Sequence, residues 1–379
     1  MNQQDTIRQA LSSTVDTLSF SGHEGHHSGK IRESFVLDDA KRAIVVTDRI
    51  SAFDFILGTI PFKGQVLNQI AAWWFGKLEG IVPHHFISSP DPNVSVVKNA
   101  KVLPVEIIVR GYLTGTTKTS SWYAYQNLDR KICGLEMPAG MVKNQKFEHP
   151  IITPTTKPEV GHDEPISREE LLARGLVEES VWEKAEEYAL TMFAHGQRIA
   201  AERGLILVDT KYEMGLDNNG SLMVIDEVHT PDSSRYWKGG KQGQGTRDEG
   251  RGTEGFQGNE KDFSSCHPEP ATLARPTTAG RLDSGSQSLH KELTPMLGAD
   301  GEPEGLDKEF VRRMVVGKGY NVDDDTQNPA DFLDDSLRVA AAEKYIELFE
   351  TMTGETFLFP ENIRAEERIK ATLKNLKRV

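Results

Sequence analysis

Cysteine is almost missing from this chain: 379 residues hold two, Cys133 and Cys266. They lie far apart and without metal-ligand spacing, which excludes a disulfide framework and a cysteine-based metal site and fits a reducing compartment. Long apolar runs are also lacking, and none approaches the ~20 residues of a membrane-spanning helix. The first 20 residues carry no basic stretch followed by an apolar core, so no secretory signal is expected and cytoplasm is the expected location. Positive charge is in deficit, with 44 Lys and Arg against 57 Asp and Glu and a formal net charge of −13. A nucleic-acid partner would need a basic surface, so none is expected. No GxxxxGK[ST] loop and no GxGxxG after a strand occurs, which removes the P-loop and Rossmann sites. Nor is there a Ser or Cys nucleophile constellation.

What is present concentrates between Leu205 and Trp237. Leu205–Val208 is a short apolar run that empties into Asp209, Lys211 and Glu213. A turn of Asp217-Asn218-Asn219-Gly220 follows, a composition that tolerates positive φ. The second run, Leu222–Ile225, empties into Asp226 and Glu227. Carboxylates and a lysine gathered at the mouth of a hairpin suit a divalent metal carrying nucleotide phosphates, since Mg²⁺ prefers one or two carboxylates plus phosphate oxygens. Solvated strand ends are the plainer alternative.

Elsewhere the chain divides by composition. Residues 1–27 read as a leader. Residues 28–110 read as strand-rich, with Phe35–Leu37, Ala43–Val46 and Glu106–Val109 as strands and one helix at Leu67–Leu78. Trp73 and Trp74 on that helix read as core. Residues 111–238 include a long amphipathic helix, Glu178–Glu202, ended by Gly204. Between 239 and 305, 13 of 67 residues are glycine and only Phe256 and Phe263 are aromatic. Such a segment buries too little surface to offset its ordering entropy and is expected to be a disordered insertion. Helices resume at Leu306–Val316 and Ala330–Thr351, and Asn362 is a candidate cap for a last one carrying Ile369, Leu373 and Leu376. His23, His26 and His27 are read as a solvated loop, because a specific metal site needs further rigid ligands.

Two more places suit anions. Ser28-Gly29-Lys30 combines close backbone approach with a point charge. Arg110, followed by the hydroxyl-rich Gly111–Thr116, could receive a phosphate monoester or carboxylate through its fork, and Arg235 offers a second.

The segments DTKYEMG (Asp209–Gly215) and IDEVHTPDSSRYW (Ile225–Trp237) resemble the paired signatures of the SAICAR synthetase family. So do SGKIRESF, TDRISAFD (Thr47–Asp54), PVEIIVRGYLTGT (Pro104–Thr116) and ITPTTKPEVGHDEPIS (Ile152–Ser167), in family order over residues 15–238, with the resemblance resuming at Leu306–Thr356. The glycine-rich insertion is longer than the family's usual connection. The resemblance implies an ATP- and Mg²⁺-dependent ligase of purine biosynthesis that joins L-aspartate to carboxyaminoimidazole ribotide.

It implies an α+β fold in which a mainly antiparallel N-terminal lobe and a larger mixed C-terminal lobe, with residues 306–379 as its helical end, enclose ATP as in kinase and ATP-grasp folds. Arg110, Thr116 and Arg235 would contact the ribotide, and Gly29 and Lys30 the triphosphate. Lys211, Glu213 and Asp226 would serve nucleotide and catalysis, with Glu213 and Asp226 on the metal. Asp209 and Glu227 would lie just outside or bind another metal, and Asp232 would orient a substrate amine or hydroxyl. Asp48, Asp54 and the Thr153–Lys157 loop would close over aspartate, with Lys157 pairing a carboxylate. A small-molecule kinase and an inactive nucleotide-binding scaffold are the rival readings. Nothing in one chain marks an interface, and a monomer is the expected state.

Overall fold

In this computed structural model the described residues are 2–18, 25–117, 119–128, 130–157, 163–241, 293–324, 326–360 and 364–377. His23, Asn362, Cys266 and the body of the glycine-rich segment lie outside them.

The first sheet comprises β1 (His26–Ser28), β2 (Arg32–Val36) and β3 (Lys41–Val46), in sequence order. After a separate hairpin of β4 (Arg49–Ala52) and β5 (Phe55–Thr59) come its last strands, β6 (Phe86–Asp91) and β7 (Val94–Lys98). All pairs are antiparallel, in the order β1-β2-β3-β7-β6. The second sheet is built on β8 (Lys101–Leu113), a strand that runs across the expected boundary at residue 110. A two-stranded excursion, β9 (Lys131–Ile132) with β10 (Leu135–Glu136), precedes β11 (Gln145–Thr156). Then follow β12 (Leu205–Leu216), β13 (Leu222–Ile225), β14 (Ser234–Lys241) and β15 (Leu293–Pro295), giving the order β11-β8-β12-β14-β15 with β13 on β12. The architecture is α+β with antiparallel sheets.

The helices are α1 (Gln3–Ala10), α2 (Lys63–Lys77), α3 (Ser121–Asn127), α4 (Arg168–Ala173), α5 (Glu179–Glu202), α6 (Lys308–Gly317), α7 (Asp335–Thr353) and α8 (Ala365–Leu376). Helix α2 starts four residues before the expected Leu67. Phe62 takes a left-handed φ of 64° at its N-cap, and Gly64 then passes so near β3 that a Cβ would lie 2.3 Å from Val46 O. Those residues look like a turn in sequence because they are one, wound directly into a helix. Trp74 is fully buried, as expected of core. Helix α7 begins after a 3₁₀ turn, with Asp334 accepting from Leu337 N at 2.9 Å, and ends at Gly354 with φ 78°. A left-handed C-terminal residue of this kind favours glycine.

Three sequence expectations change here. Gly239–Lys241 pairs with Leu293–Pro295, so both margins of the glycine-rich segment are structured by sheet pairing that composition does not reveal. His26 is in β1, stacked on Phe35 and 2.8 Å from Glu33 Oε2, rather than in a loop. Ile369 and Leu373 of α8 pack with Val15, Leu18, Phe35, Ala43, Val45 and Val94, so the last helix serves the first sheet. Periodicity gives an apolar stripe but not its partner. No helix among the described residues is long and apolar enough to cross a membrane.

Candidate active site

The apolar run at Leu205 does not stop at Val208; β12 continues to Leu216. Side chains of a strand alternate between faces, so Asp209, Lys211 and Glu213 share one face. They therefore form a charged row along a central strand, not its mouth. Register supplies their neighbours: Asp209 is opposite Arg110 on β8 and Arg235 on β14, and Glu213 is opposite Glu106.

At one end of the row Arg235 Nη1 donates to Asp209 Oδ2 at 2.9 Å, and Arg110 Nη1 lies 3.8 Å from the same oxygen. Arg110 Nε donates to Thr153 Oγ1 at 2.8 Å, and its Nη2 to Thr119 O at 3.3 Å. Beyond Arg235, Glu309 Oε2 is 3.6 Å from Nη2, while Glu309 Oε1 accepts from Thr116 Oγ1 at 2.5 Å. Burial lowers the proton affinity of Arg110 despite Asp209, whereas Arg235 keeps its proton more tightly because Asp209 and Glu309 outweigh burial. Two fixed guanidinium forks beside hydroxyl groups make a receptor for a phosphate or carboxylate.

At the other end Lys211 Nζ donates to Glu106 Oε1 at 2.7 Å and Glu213 Oε1 at 2.8 Å, and Lys157 donates to Glu213 Oε2. Burial alone would push the Glu213 carboxyl up, but Lys211 and Lys157 hold it well below the usual carboxylate range. The Lys211 ammonium, against its own burial, is held charged by Glu213 and Glu106.

Just past β13, Asp226 adopts a φ of 63°, unusual for a residue with a side chain. Strain of this kind persists where the surroundings fix it, and it clusters at functional positions. Arg32 reaches over from β2, with Nη1 3.3 Å from Asp226 Oδ1 and Nη2 2.5 Å from Glu227 Oε2. Thr230 Oγ1 donates to Glu227 as well. Burial, aggravated by Glu213 and Glu227, raises Asp226 to about 6 despite Arg32.

Two candidates are placed differently from expectation. Asp232 is enclosed: Oδ1 is 3.1 Å from Lys63 Nζ and Oδ2 3.4 Å from Lys308 Nζ, while Tyr345 Oη donates to Oδ1 at 3.4 Å. Burial would raise its carboxyl, but Lys308 and Lys63 hold it below the carboxylate range, and burial drops Lys308 to about 8. Asp232 thus ties the PDSSR loop to α2, α6 and α7 instead of facing a substrate amine. Asp48 is likewise turned inward, accepting from Val15 N at 2.8 Å and Gly64 N at 2.9 Å, so it frames no loop over aspartate.

Lys30, exposed, lies 3.2 Å from Asp54 Oδ1, and Gly29 N donates to Arg32 O at 2.8 Å in the turn before β2. Sequence reasoning missed Glu106, Arg32 and Glu309. Glu106 had a signal, since it sits four residues before Arg110 on one face of an otherwise apolar strand. Arg32 and Glu309 had none, because sheet pairing and a contact across 193 residues bring them in.

Among the described residues no three His, Cys, Asp or Glu side chains form a ready-made metal cage. The donor set nevertheless fits Mg²⁺. Asp226 is a carboxylate under-compensated by protein cations, close to Glu213, and Mg²⁺ takes only one or two carboxylates when phosphates complete its shell.

This face, where arginine forks and lysines converge on an acidic background, is that of an enzyme acting on anionic small molecules. The sequence profile of SAICAR synthetase matches residues 25–251. The phosphoribosylaminoimidazole-succinocarboxamide synthase of Legionella pneumophila (strain Lens) is 40% identical over 336 residues, 89% of this chain and 90% of that protein. Its namesake from Bacteroides fragilis is 39% identical over 359 residues, 94% and 96% respectively. The structure of SAICAR synthase from Saccharomyces cerevisiae complexed with SAICAR superposes with a TM-score of 0.64 at 26% identity, covering 91% of this chain and 100% of that one. The chain belongs to the SAICAR synthetase family and is an ATP-dependent carbon–nitrogen ligase of purine biosynthesis.

Proposed function

We propose that the two ends of the β12 row divide the work of joining L-aspartate to 5-amino-1-(5-phosphoribosyl)imidazole-4-carboxylate. The observation that carries this reading is the shared face of Asp209, Lys211 and Glu213, with arginines at one end and surplus carboxylates at the other. Arg110, Arg235 and Thr116 receive the ribotide phosphate. Asp209 and Glu309 hold the two forks in place beforehand, so less side-chain freedom is lost on binding. Gly29 and Lys30 meet the triphosphate of ATP, which lies between the two sheets as between the lobes of a kinase-like fold.

A carboxylate is a poor electrophile, so the ribotide carboxylate oxygen attacks the γ-phosphorus of ATP and ADP leaves. The resulting acyl phosphate is attacked at carbon by the aspartate amine. The C–N bond forms, the C–O bond to phosphate breaks, and the amine gives up its proton. Lys211 neutralises charge on the transferring phosphoryl group. Glu213 and Asp226 would hold Mg²⁺, which would supply neutralisation of phosphate charge. Lys157 exchanges Glu213 for a carboxylate of aspartate. The protein works by positioning and electrostatics, and positioning alone is worth about 7–11 kcal/mol in well-oriented systems.

The test is incubation of the purified protein with ribotide, ATP, Mg²⁺ and aspartate, leaving out each in turn. The succinylated amide, identified by mass, is expected only with all four. ADP release in the absence of ribotide, or product without ATP, would overturn the proposal.

A further inference from the structure

A second cavity, of about 220 Å³, lies between α1 and the first turns of α2 and α8. It is smaller than the roughly 300–1,000 Å³ of pockets for drug-sized ligands and suits a metabolite of amino-acid size. The first turn of α2 separates it from Asp232, and of the residues expected to serve ATP, ribotide or aspartate only Asp48, which the fold turns inward, lines it.

Its walls carry unmet hydrogen-bonding capacity of both kinds. Gln65 is 3% exposed, and its Nε2 donates to Leu358 O at 2.9 Å, which fixes the amide orientation. Its Oε1 is then left buried without a partner, a condition that native structures rarely leave unfilled. Beside it Asp48, 4% exposed, accepts two backbone N–H groups and has no cation within 4 Å among the described residues. Burial lifts its carboxyl to about 6. This end of the cavity asks for a donor, best a cationic one.

The N-terminus of α8 also lines the cavity, and its N–H groups and helix dipole favour an anion. Arg364 is its N-cap residue and gives no side-chain cap, and Arg368 follows one turn on. Arg368 spends Nη2 on Asn93 Oδ1 at 2.8 Å and Nη1 on Asp91 Oδ1 at 2.6 Å, but its buried Nε has no partner. Pro61 and Phe62 add apolar wall between the two ends.

We propose that this cavity binds a free α-amino acid as its zwitterion, the carboxylate toward Arg364, Arg368 and the α8 N-terminus and the ammonium toward Gln65 Oε1 and Asp48. The site is separate from the ligase chemistry and does not depend on it.

Calorimetric titration of the full chain tests this with L-glutamine and glycine, and with acetate and methylammonium as the two halves. Saturable binding is expected for the amino acids, with each half weaker by at least about tenfold. Arg364→Ala, an exposed position, should weaken L-glutamine binding by about tenfold, and Gln65→Leu should remove it. Lys157→Met, which removes the proposed partner of the aspartate carboxylate, should leave it unchanged, and that separates this site from the catalytic one. No saturable heat with either amino acid would overturn the proposal. So would acetate binding as tightly as glycine, or binding that is lost in Lys157→Met and kept in Arg364→Ala.

Discussion

Two knots of charge, one in each sheet, show why charge density alone does not mark a site. In the first sheet Glu33, 1% exposed, accepts from Arg49 Nη1 at 2.7 Å and Ser28 Oγ at 3.1 Å and sits against His26. Arg49 spends its remaining groups on backbone carbonyls of Asp16, Gly29 and Lys30. Every group there has a partner within the protein, so nothing is left for a ligand. On β12 the accounts stay open. Four carboxylates, Glu106, Glu213, Asp226 and Glu227, share Lys157, Lys211 and Arg32, and burial, aggravated by Glu213 and Glu227, lifts Asp226 to about 6. The first arrangement is a rivet and the second a receptor.

Breaking each knot should therefore produce opposite phenotypes. The largest effect is expected from Glu213→Gln, Asp226→Asn or Lys211→Met, each lowering kcat by about 10²–10³-fold or more. Melting temperature should move little in Glu213→Gln and Asp226→Asn, whereas Lys211→Met also leaves the buried Glu106 without its cation and should lower it. A kcat within a few-fold of wild type in any of the three would remove that residue from the mechanism. Arg49→Ala should do the reverse. Leaving Glu33 buried and unpaired costs about 3–5 kcal/mol, seen as a lower denaturant midpoint, while the folded fraction should keep its kcat and show a raised KM for ATP only, because Arg49 also holds the carbonyls of Gly29 and Lys30.

Arg235→Lys sharpens the receptor end. Loss of the planar fork should raise KM for the ribotide by about tenfold, with a smaller change in kcat. An unchanged KM would mean that Arg235 only braces Asp209.

The pH dependence separates binding from stability at one residue. Asp226 rises from an ordinary 3.8 to about 6, so its contribution to stability is full below 3.8 and lost as pH climbs through 6. If Asp226 holds Mg²⁺ as proposed, binding of Mg²⁺ and ATP would need the ionised form and should run the other way, weakening by about tenfold per unit as pH falls below 6. Titrating ATP affinity from pH 8 to 5 tests this, and a flat profile would contradict the metal assignment. The smallest effect belongs to the turn. Asp217 Oδ1 accepts from Asn219 N and Ser221 N, both at 2.8 Å, so Asp217→Ala should cost about 1 kcal/mol per bond lost and spare activity.

Much of this was legible in the chain and some was not. Gly220 takes a φ of 77° in the turn expected of Asp217–Gly220, and Glu179–Glu202 is the helix expected from its apolar stripe. Both are local: φ preference and 3.6-residue periodicity need no distant partner. Lys211, Glu213, Arg110 and Arg235 do lie on neighbouring strands of one sheet, with Thr116 just past the end of β8, and charge at the strand ends together with family resemblance, rather than periodicity, pointed to them. Asp232 and Asp48 are placed differently from expectation because a carboxylate in a polar loop looks the same in sequence whether it faces solvent, two lysines or two backbone N–H groups.

The sequence by itself determined the elements, the turn chemistry, the family and the residue types available for an ATP-dependent ligation, since these follow from local preference and side-chain identity. Only the tertiary structure decided which charges neutralise one another and which are left wanting. That balance depends on register across β8, β12 and β14 and on contacts as remote as Thr116 with Glu309, which no stretch of chain encodes alone.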